Sequence, residues 1–322
     1  MNPHISIIIA VNDAREDDLA MPLSSINNQL GVDFRDIEII LVDGGRYRLT
    51  DLTAFRLFKN IRIDYQQPDN VLSWTESFEW GLSVAHGDYV MFMGPDGLLN
   101  QTSVIQTFNT TAEQNPDADV LTGLVLEQDI TRSRQTEYTI GEELTTVRGR
   151  WLKRSFLNQF GLHWQDNGEY ADELYSRLVN AFARVDVSVN EIAYARFVSR
   201  DVCGEVLATA SREMTVGWLT MIGDYLTALQ RVDQKTYEDE FARECVRYYT
   251  QQQRVLESER KPFAAVMQAI VEQNANAWPR VQDFIAHVKL QDSSPEAPWN
   301  ANPQAFDQYV NWLNQVVVAA QQ

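Results

Sequence analysis

Cysteine is nearly absent: the 322 residues hold two, Cys203 and Cys245. They have no metal-site spacing and are too few for a disulfide framework, so the expectation is two thiols in a reducing compartment. Basic charge is short as well. The chain carries 27 Lys and Arg against 45 Asp and Glu, a formal net charge of -18. The net field of so acidic a chain does not draw it to nucleic-acid phosphates or anionic lipid. No nucleic-acid partner is expected, and any anion site must gather its basic groups locally. Long apolar runs are missing too. No stretch approaches the ~18 residues that a membrane-spanning helix needs. The run at residues 5–11 is short, lacks a basic flank and is followed by Asn12 and Asp13, unlike a secretory leader. The chain therefore reads as soluble and cytoplasmic, at most peripheral at the inner face of the membrane. Nor does a Gly-x-Gly-x-x-Gly turn follow that first run. AVNDARED stands there instead, which argues against a dinucleotide-dependent oxidoreductase.

Core material is plentiful: 44% of residues are apolar, with eight Trp and fourteen Phe. That suits one large domain, or one with a smaller companion. The first hundred residues alternate between two periods. ISIIIAV (5–11), IEIILVD (37–43), IRIDYQQ (61–67) and GDYVMFMG (87–94) are strand-like, three of them continuous enough to be buried on both faces. MPLSSINNQL (21–30) and SWTESFEWGLSVA (73–85) have helical spacing, and Ser73 with Glu76 three residues on forms a capping signature. Strands alternating with helices predict an α/β fold with a doubly wound, mostly parallel sheet. Ligands then bind beyond the carboxyl ends of the strands, where Asn12 and Asp13, Asp43 and Asp96 fall. Downstream, 103–115 predicts a helix and 119–129 a strand. The polar segment 130–150, with Arg132, Arg134, Arg148 and Arg150, predicts a loop or hairpin. Residues 150–161 and 169–183 predict helices, and 185–198 strands. From about Ser211 the periodicity is helical. The expected division is an α/β domain at 1–205 and a helical region at 206–322. The last helix, 306–320, has one apolar side, expected to pack internally or form a homodimer.

Taken in order, SIIIAVND, PLSSINNQ, IEIILVDGG, SWTESFEWGLSVAHGDYVMFMGPDG, RWLKRSFLNQFGLHW and YADELYSRL resemble the family 2 glycosyltransferases of GT-A fold, over roughly residues 4–200. The resemblance implies an inverting transfer of a sugar from a nucleotide sugar, by default a UDP-sugar. The acceptor would be a saccharide or a lipid- or protein-linked glycan in bacterial surface-polysaccharide assembly. Such transfer needs a group that stabilises the departing diphosphate, a general base for the acceptor hydroxyl, and polar groups that orient the nucleotide.

The resemblance assigns these roles. Asp43 of Asp43-Gly44-Gly45 orients the nucleotide, beside Ala10 and Asn12; the following Arg46-Tyr47-Arg48 departs from the family's usual Ser-Thr-Asp. A strand-end turn is the plainer reading of the same residues. Asp96 matches the last Asp of the family's Asp-x-Asp motif and would hold Mg2+ or Mn2+. Gly94 stands where the family often has its other Asp, and Gly-Pro-Asp-Gly is also a turn sequence. Asp172 takes the place of the base, with Glu173 adjacent as its substitute; both also suit a helix N-terminus. Glu76 falls on the donor side or on a solvated helix face. Arg196 and Arg200 are placed to neutralise the leaving group. His163 and Trp164 stand at the acceptor mouth or, for the Trp, in the core. The missing Asp and the altered GGRYR leave a second reading: a degenerate domain of this fold that serves another glycosyltransferase as a scaffold.

Overall fold

Three segments of β-branched and aliphatic residues build the centre of the first unit. β1 (Ile5–Ala10) lies between β2 (Ile37–Val42) and β4 (Tyr89–Met93), parallel to both, with β3 (Ile63–Gln66) beyond β2. β1 and β4 are buried along their whole length, as continuous apolar strands in a covered parallel sheet should be. The register fixes the rim. Ala10 pairs with Val42 and Ile9 with Met93, so all three strands stop at one level. Asn12 and Asp13, Asp43, and the Gly94–Asp96 turn therefore leave the sheet side by side.

The computed structural model describes residues 4–130, 136–141, 146–199, 215–252, 255, 257–295 and 297–322. The chain divides into two units, Met1–Val206 and Leu207–Gln322. Arg200 and Cys203 lie outside the described residues, as do Arg132 and Arg134.

Among the described residues the first unit's sheet has nine strands. Beyond β4 come β8 (Arg150–Lys153), β6 (Val120–Ile130), β9 (Asp186–Ser199) and β5 (Gly97–Leu99), and β7 (Thr136–Gly141) pairs with β6. β8 runs antiparallel to β4 and β6, and β5 antiparallel to β9, while β6 and β9 form a long parallel ladder. The sheet is thus mixed, with most of its paired length parallel.

Helices cover its faces: α1 (Ala20–Asn27), α2 (Trp74–Val84), α3 (Val104–Gln114), α4 (Arg154–Phe160) and α5 (Ala171–Phe182). α2 starts on the expected capping box. The Ser73 hydroxyl accepts from Glu76 N–H at 3.2 Å, and the Glu76 carboxylate accepts from Ser73 N–H at 2.7 Å. Gly81 lets α2 lie close on β1, since a Cβ there would run into Ile8.

Two elements differ from the sequence reading. Residues 150–161 were expected as one helix, but their first four form β8 and only then does α4 begin. Trp151 and Leu152 are fully buried between β4 and β6, and that burial outweighs the local helical spacing. β5, only three residues long and directly after the Gly-Pro-Asp turn, is too short to show a period. The segment 130–150 contains the hairpin strand β7 on β6.

The second unit is helical in its described part: α6 (Val216–Gln230), α7 (Gln234–Gln251), α8 (Arg260–Gln273), α9 (Trp278–Gln291), α10 (Pro298–Ala301) and α11 (Pro303–Ala320). Phe306, Tyr309, Leu313, Val316 and Val317 of α11 are buried. The Tyr309 hydroxyl donates to the carbonyl of Cys245 in α7 at 2.6 Å, so the apolar side of α11 is used inside its own unit. Burial pushes the Cys245 thiol well up. Among the described residues no helix is long and apolar enough to cross a membrane.

Candidate active site

At the end of β2, Asp43 is fully buried. Its Oδ2 accepts from Leu49 N–H at 2.9 Å and from the Tyr65 hydroxyl at 2.6 Å. Its Oδ1 is buried with no partner. A carboxylate oxygen kept from water and left unbonded is costly unless something else completes it. Burial, and then the bond to Asp43, push the Tyr65 hydroxyl up. The loop after Asp43 is tied back to the end of β1. Asp13 Oδ1 accepts from Tyr47 N–H at 2.7 Å, and Glu16 Oε1 from Thr50 N–H at 2.7 Å. Asn12 and Asp13 reach this position with left-handed backbones, φ 50 and 64. A Cβ on Gly45 would run into Asp13, which is why the second glycine belongs there. Arg48, where the sequence departs from Ser-Thr-Asp, donates through Nη2 to the carbonyls of Pro68 and Asn70 at 3.1 and 3.0 Å; its Nη1 is buried without a partner.

The second carboxylate, Asp96, is held from both sides. Arg148 Nη1 donates to its Oδ1 at 3.3 Å and Arg196 Nε to its Oδ2 at 2.9 Å. Arg196 is placed by register, opposite Gly97 in the β5–β9 pair. Arg148 comes from the turn just before β8 and is 12% exposed at its side chain. Burial would raise the Asp96 carboxyl, but Arg148 and Arg196 outweigh it and hold it below the usual range. Burial works against the Arg148 charge in turn, and Asp96, Tyr194 and Asp172 overcome it and raise its pKa. Gly94 donates its N–H to the Tyr194 hydroxyl at 3.3 Å, and a Cβ at Gly94 would collide with Asp96 Oδ1 and lie 2.6 Å from Arg148 Nη1.

Arg148 also reaches the third carboxylate. Its Nε lies 3.4 Å from Asp172 Oδ2, which accepts from the Thr146 hydroxyl at 2.7 Å, while Asp172 Oδ1 accepts from Val147 N–H at 3.2 Å. Asp172 is the second residue of α5, where the helix dipole favours a negative charge. Asp96, Arg148, Arg196 and Asp172 thus form one connected cluster. Neighbouring Glu173 is buried and pairs with Arg177 one turn on, at 2.8 Å.

The other expected residues stand apart from that cluster. Ala10 ends β1, fully buried, and Asn12 is exposed just after it. Glu76 is occupied at the start of α2. His163 is exposed and pairs with Glu79 at 2.6 Å. Trp164 is buried, stacked on Tyr175 with ring centroids 4.2 Å apart, and its backbone N–H donates to Glu79 at 3.1 Å. Among the described residues no three His, Cys, Asp or Glu side chains come together to hold a metal ion. Arg148, Thr146 and Tyr65 had no role in the sequence reading. Their partners are distant in sequence, and only the polar character of 130–150 hinted at Arg148.

The glycosyl transferase family 2 model matches residues 6–179. No curated protein matches the chain. Solved structures do. TarS residues 1–349 from S. aureus, in complex with UDP-GlcNAc, is 12% identical with a TM-score of 0.64, covering 85% of this chain and 83% of that one. The same protein in complex with UDP is 14% identical with a TM-score of 0.64, covering 99% and 91%. A mannosyltransferase from Pyrobaculum calidifontis in complex with GDP-Man and Mn2+ gives a TM-score of 0.48 at 14% identity, covering 100% of this chain and 86% of that one. At such identities the likeness to TarS shows the fold, which is GT-A.

Proposed function

The chain belongs to glycosyl transferase family 2, and on that premise we propose that it transfers a sugar, with inversion, from a UDP-sugar to a hydroxyl of a saccharide or a lipid- or protein-linked glycan. A cytoplasmic place in surface-polysaccharide assembly is part of the same proposal. The observation that carries it is the orphaned Oδ1 of fully buried Asp43 at the rim of the parallel strands. An acceptor left dry and unbonded there calls for an N–H donor, and the imide N–H of uracil is one. Arg48 Nη1, a buried donor without a partner on the same loop, complements the carbonyl beside that N–H. TarS, similar in fold, binds UDP and UDP-GlcNAc in its solved structures.

Asp172 supplies the base. A carboxylate has about four lone-pair sites, and three are taken: Thr146 and Arg148 on Oδ2, Val147 on Oδ1. The remaining site on Oδ1 takes the acceptor proton as the acceptor oxygen bonds to the anomeric carbon. The bond from that carbon to the diphosphate oxygen breaks, and the nucleoside diphosphate leaves with the electron pair.

The family's divalent cation was expected on Asp96. The residues present do not fit one. Each oxygen of Asp96 already accepts from a guanidinium, two positive charges would face the ion, and Gly94 supplies no second carboxylate.

A donor screen by release of free nucleotide tests the activity, with Asp172→Asn as the decisive variant. It should lose transfer by at least about 100-fold, the scale of a general base, while UDP still raises the melting temperature. Full activity in Asp172→Asn would refute the base assignment. The scaffold reading is favoured by the altered loop after Asp43 and by Gly94. It would hold if no nucleotide or nucleotide sugar gave the stabilisation of about 2.7 kcal/mol expected at a hundred times its Kd.

A further inference from the structure

The residues that leave no room for a cation also supply what a cation would do. A departing diphosphate needs positive charge placed before the bond breaks. Arg148 and Arg196 bring two such charges to one carboxylate from separate parts of the fold, the turn just before β8 and β9 itself. Their formal sum equals that of a divalent ion. Guanidinium is also the side chain best shaped for phosphate, since it is planar, permanently charged and able to bond two oxygens at once.

The substitution is coupled to the backbone. An Asp at position 94, where the family often has one, would drive its Cβ into Asp96 Oδ1 and the Arg148 guanidinium. Both atoms met are the far ends of side chains and would have to shift; with Gly94 one carboxylate is gone and a cationic side chain fills the space beside Asp96. Asp96 accepts from a single nitrogen of each arginine. A guanidinium carries five N–H donors; Arg148 also gives Nε to Asp172 and bonds Tyr194, and donors remain on both groups beyond these contacts. Tyr194, fully buried, holds Gly94 N–H and fixes the turn against β9.

Resting on the glycosyltransferase reading above, we propose that Arg148 and Arg196 bind the diphosphate of the donor in place of a divalent cation, with Asp96 aligning them. As the bond from the anomeric carbon to the diphosphate oxygen breaks, the electron pair passes to that oxygen and the two guanidinium groups take up the added charge. The proton of the acceptor goes to Asp172. Arg148, which touches Asp96 and Asp172 together, ties the leaving-group side to the base.

Calorimetric titration of the full chain with UDP tests this, in EDTA and again with Mn2+, alongside the Mn2+ electron paramagnetic resonance signal in the presence of UDP. The expected result is the same affinity in both buffers and a Mn2+ spectrum that reports no protein-bound ion. Arg196→Gln should weaken UDP binding about 10- to 100-fold, the scale of a charge-assisted hydrogen bond. Arg196 is a third exposed, so this variant should fold even where Arg148→Gln does not. Asp96→Asn should weaken binding and leave it indifferent to EDTA, as an aligning group does and a metal ligand does not. UDP binding that appears only with Mn2+ or Mg2+ would overturn the proposal and leave the glycosyltransferase reading standing. A failure to bind UDP in either buffer would overturn both.

Discussion

Glu16 accepts from the N–H groups of Asp51 and Thr50, and those bonds, that of Asp51 foremost, hold its carboxyl down to about 2 from an ordinary 4.5. A group whose pKa is lowered on folding adds stability above its unfolded value and loses it as pH falls through the folded one. The loop beside Asp43 should therefore loosen in acid. In urea unfolding, the stability difference between the wild type and Glu16→Gln should be largest above pH 4.5 and close as the pH approaches 2. A difference that does not change over that range would mean that the carboxylate does not hold the loop. At this scale the sequence showed which carboxylates end strands or open a helix, because Asp43 and Asp96 follow a clear periodic segment and Asp172 opens one. It did not show what each carboxylate touches. Arg148 and Arg196 lie 52 and 100 residues from Asp96, and no local pattern encodes either pairing.

The start of α2 shows how one side chain can be legible in two ways. Ser73 and Glu76 form the capping box that their spacing announces, and the sequence places the same Glu76 on the donor side or on a solvated helix face. A glutamine can fill the third position of a capping box as well as a glutamate. Ser73→Ala should cost about 1 kcal/mol, while Glu76→Gln should leave both stability and UDP affinity nearly unchanged. A loss of affinity in Glu76→Gln with stability intact would show the carboxylate at the donor. Long periodic segments were legible as elements: the four parallel-sheet strands, α2, α3, α5, and the helices after residue 211. Short or doubly determined ones were not. β5 has three residues, and β8 carries helical spacing that its burial between two strands overrides. That error matters for the site, because Arg148 stands immediately before β8, and a helix from residue 150 would have aimed it elsewhere.

Across the whole chain, 45 acidic groups against 27 basic ones repel one another more in the folded state than in the expanded one. Salt should reduce that penalty. Raising NaCl from about 0.1 M to about 1 M shortens the screening length from about 10 Å to about 3 Å. Like-charge repulsion acts over many distances and is lost first. Salt also weakens ion pairs, but an exposed one such as Lys289–Asp307 is worth only about 0–1 kcal/mol. The Arg148–Asp96 contact is mostly shielded from solvent at its arginine, so it is screened less. Repulsion should therefore dominate, and the melting temperature should rise with NaCl at pH 7. Lowering the pH from 7 toward 5.5 at low salt should raise it too, since the chain approaches its isoelectric point near 4.6 from above and sheds net charge. A melting temperature that falls with added NaCl would mean that ion pairs, not net repulsion, set the stability. The same acidity explains why the basic groups of the site are clustered. On the proposed function, a donor carrying a diphosphate would meet an adverse net field, which Arg148 and Arg196, fixed against Asp96, would offset locally.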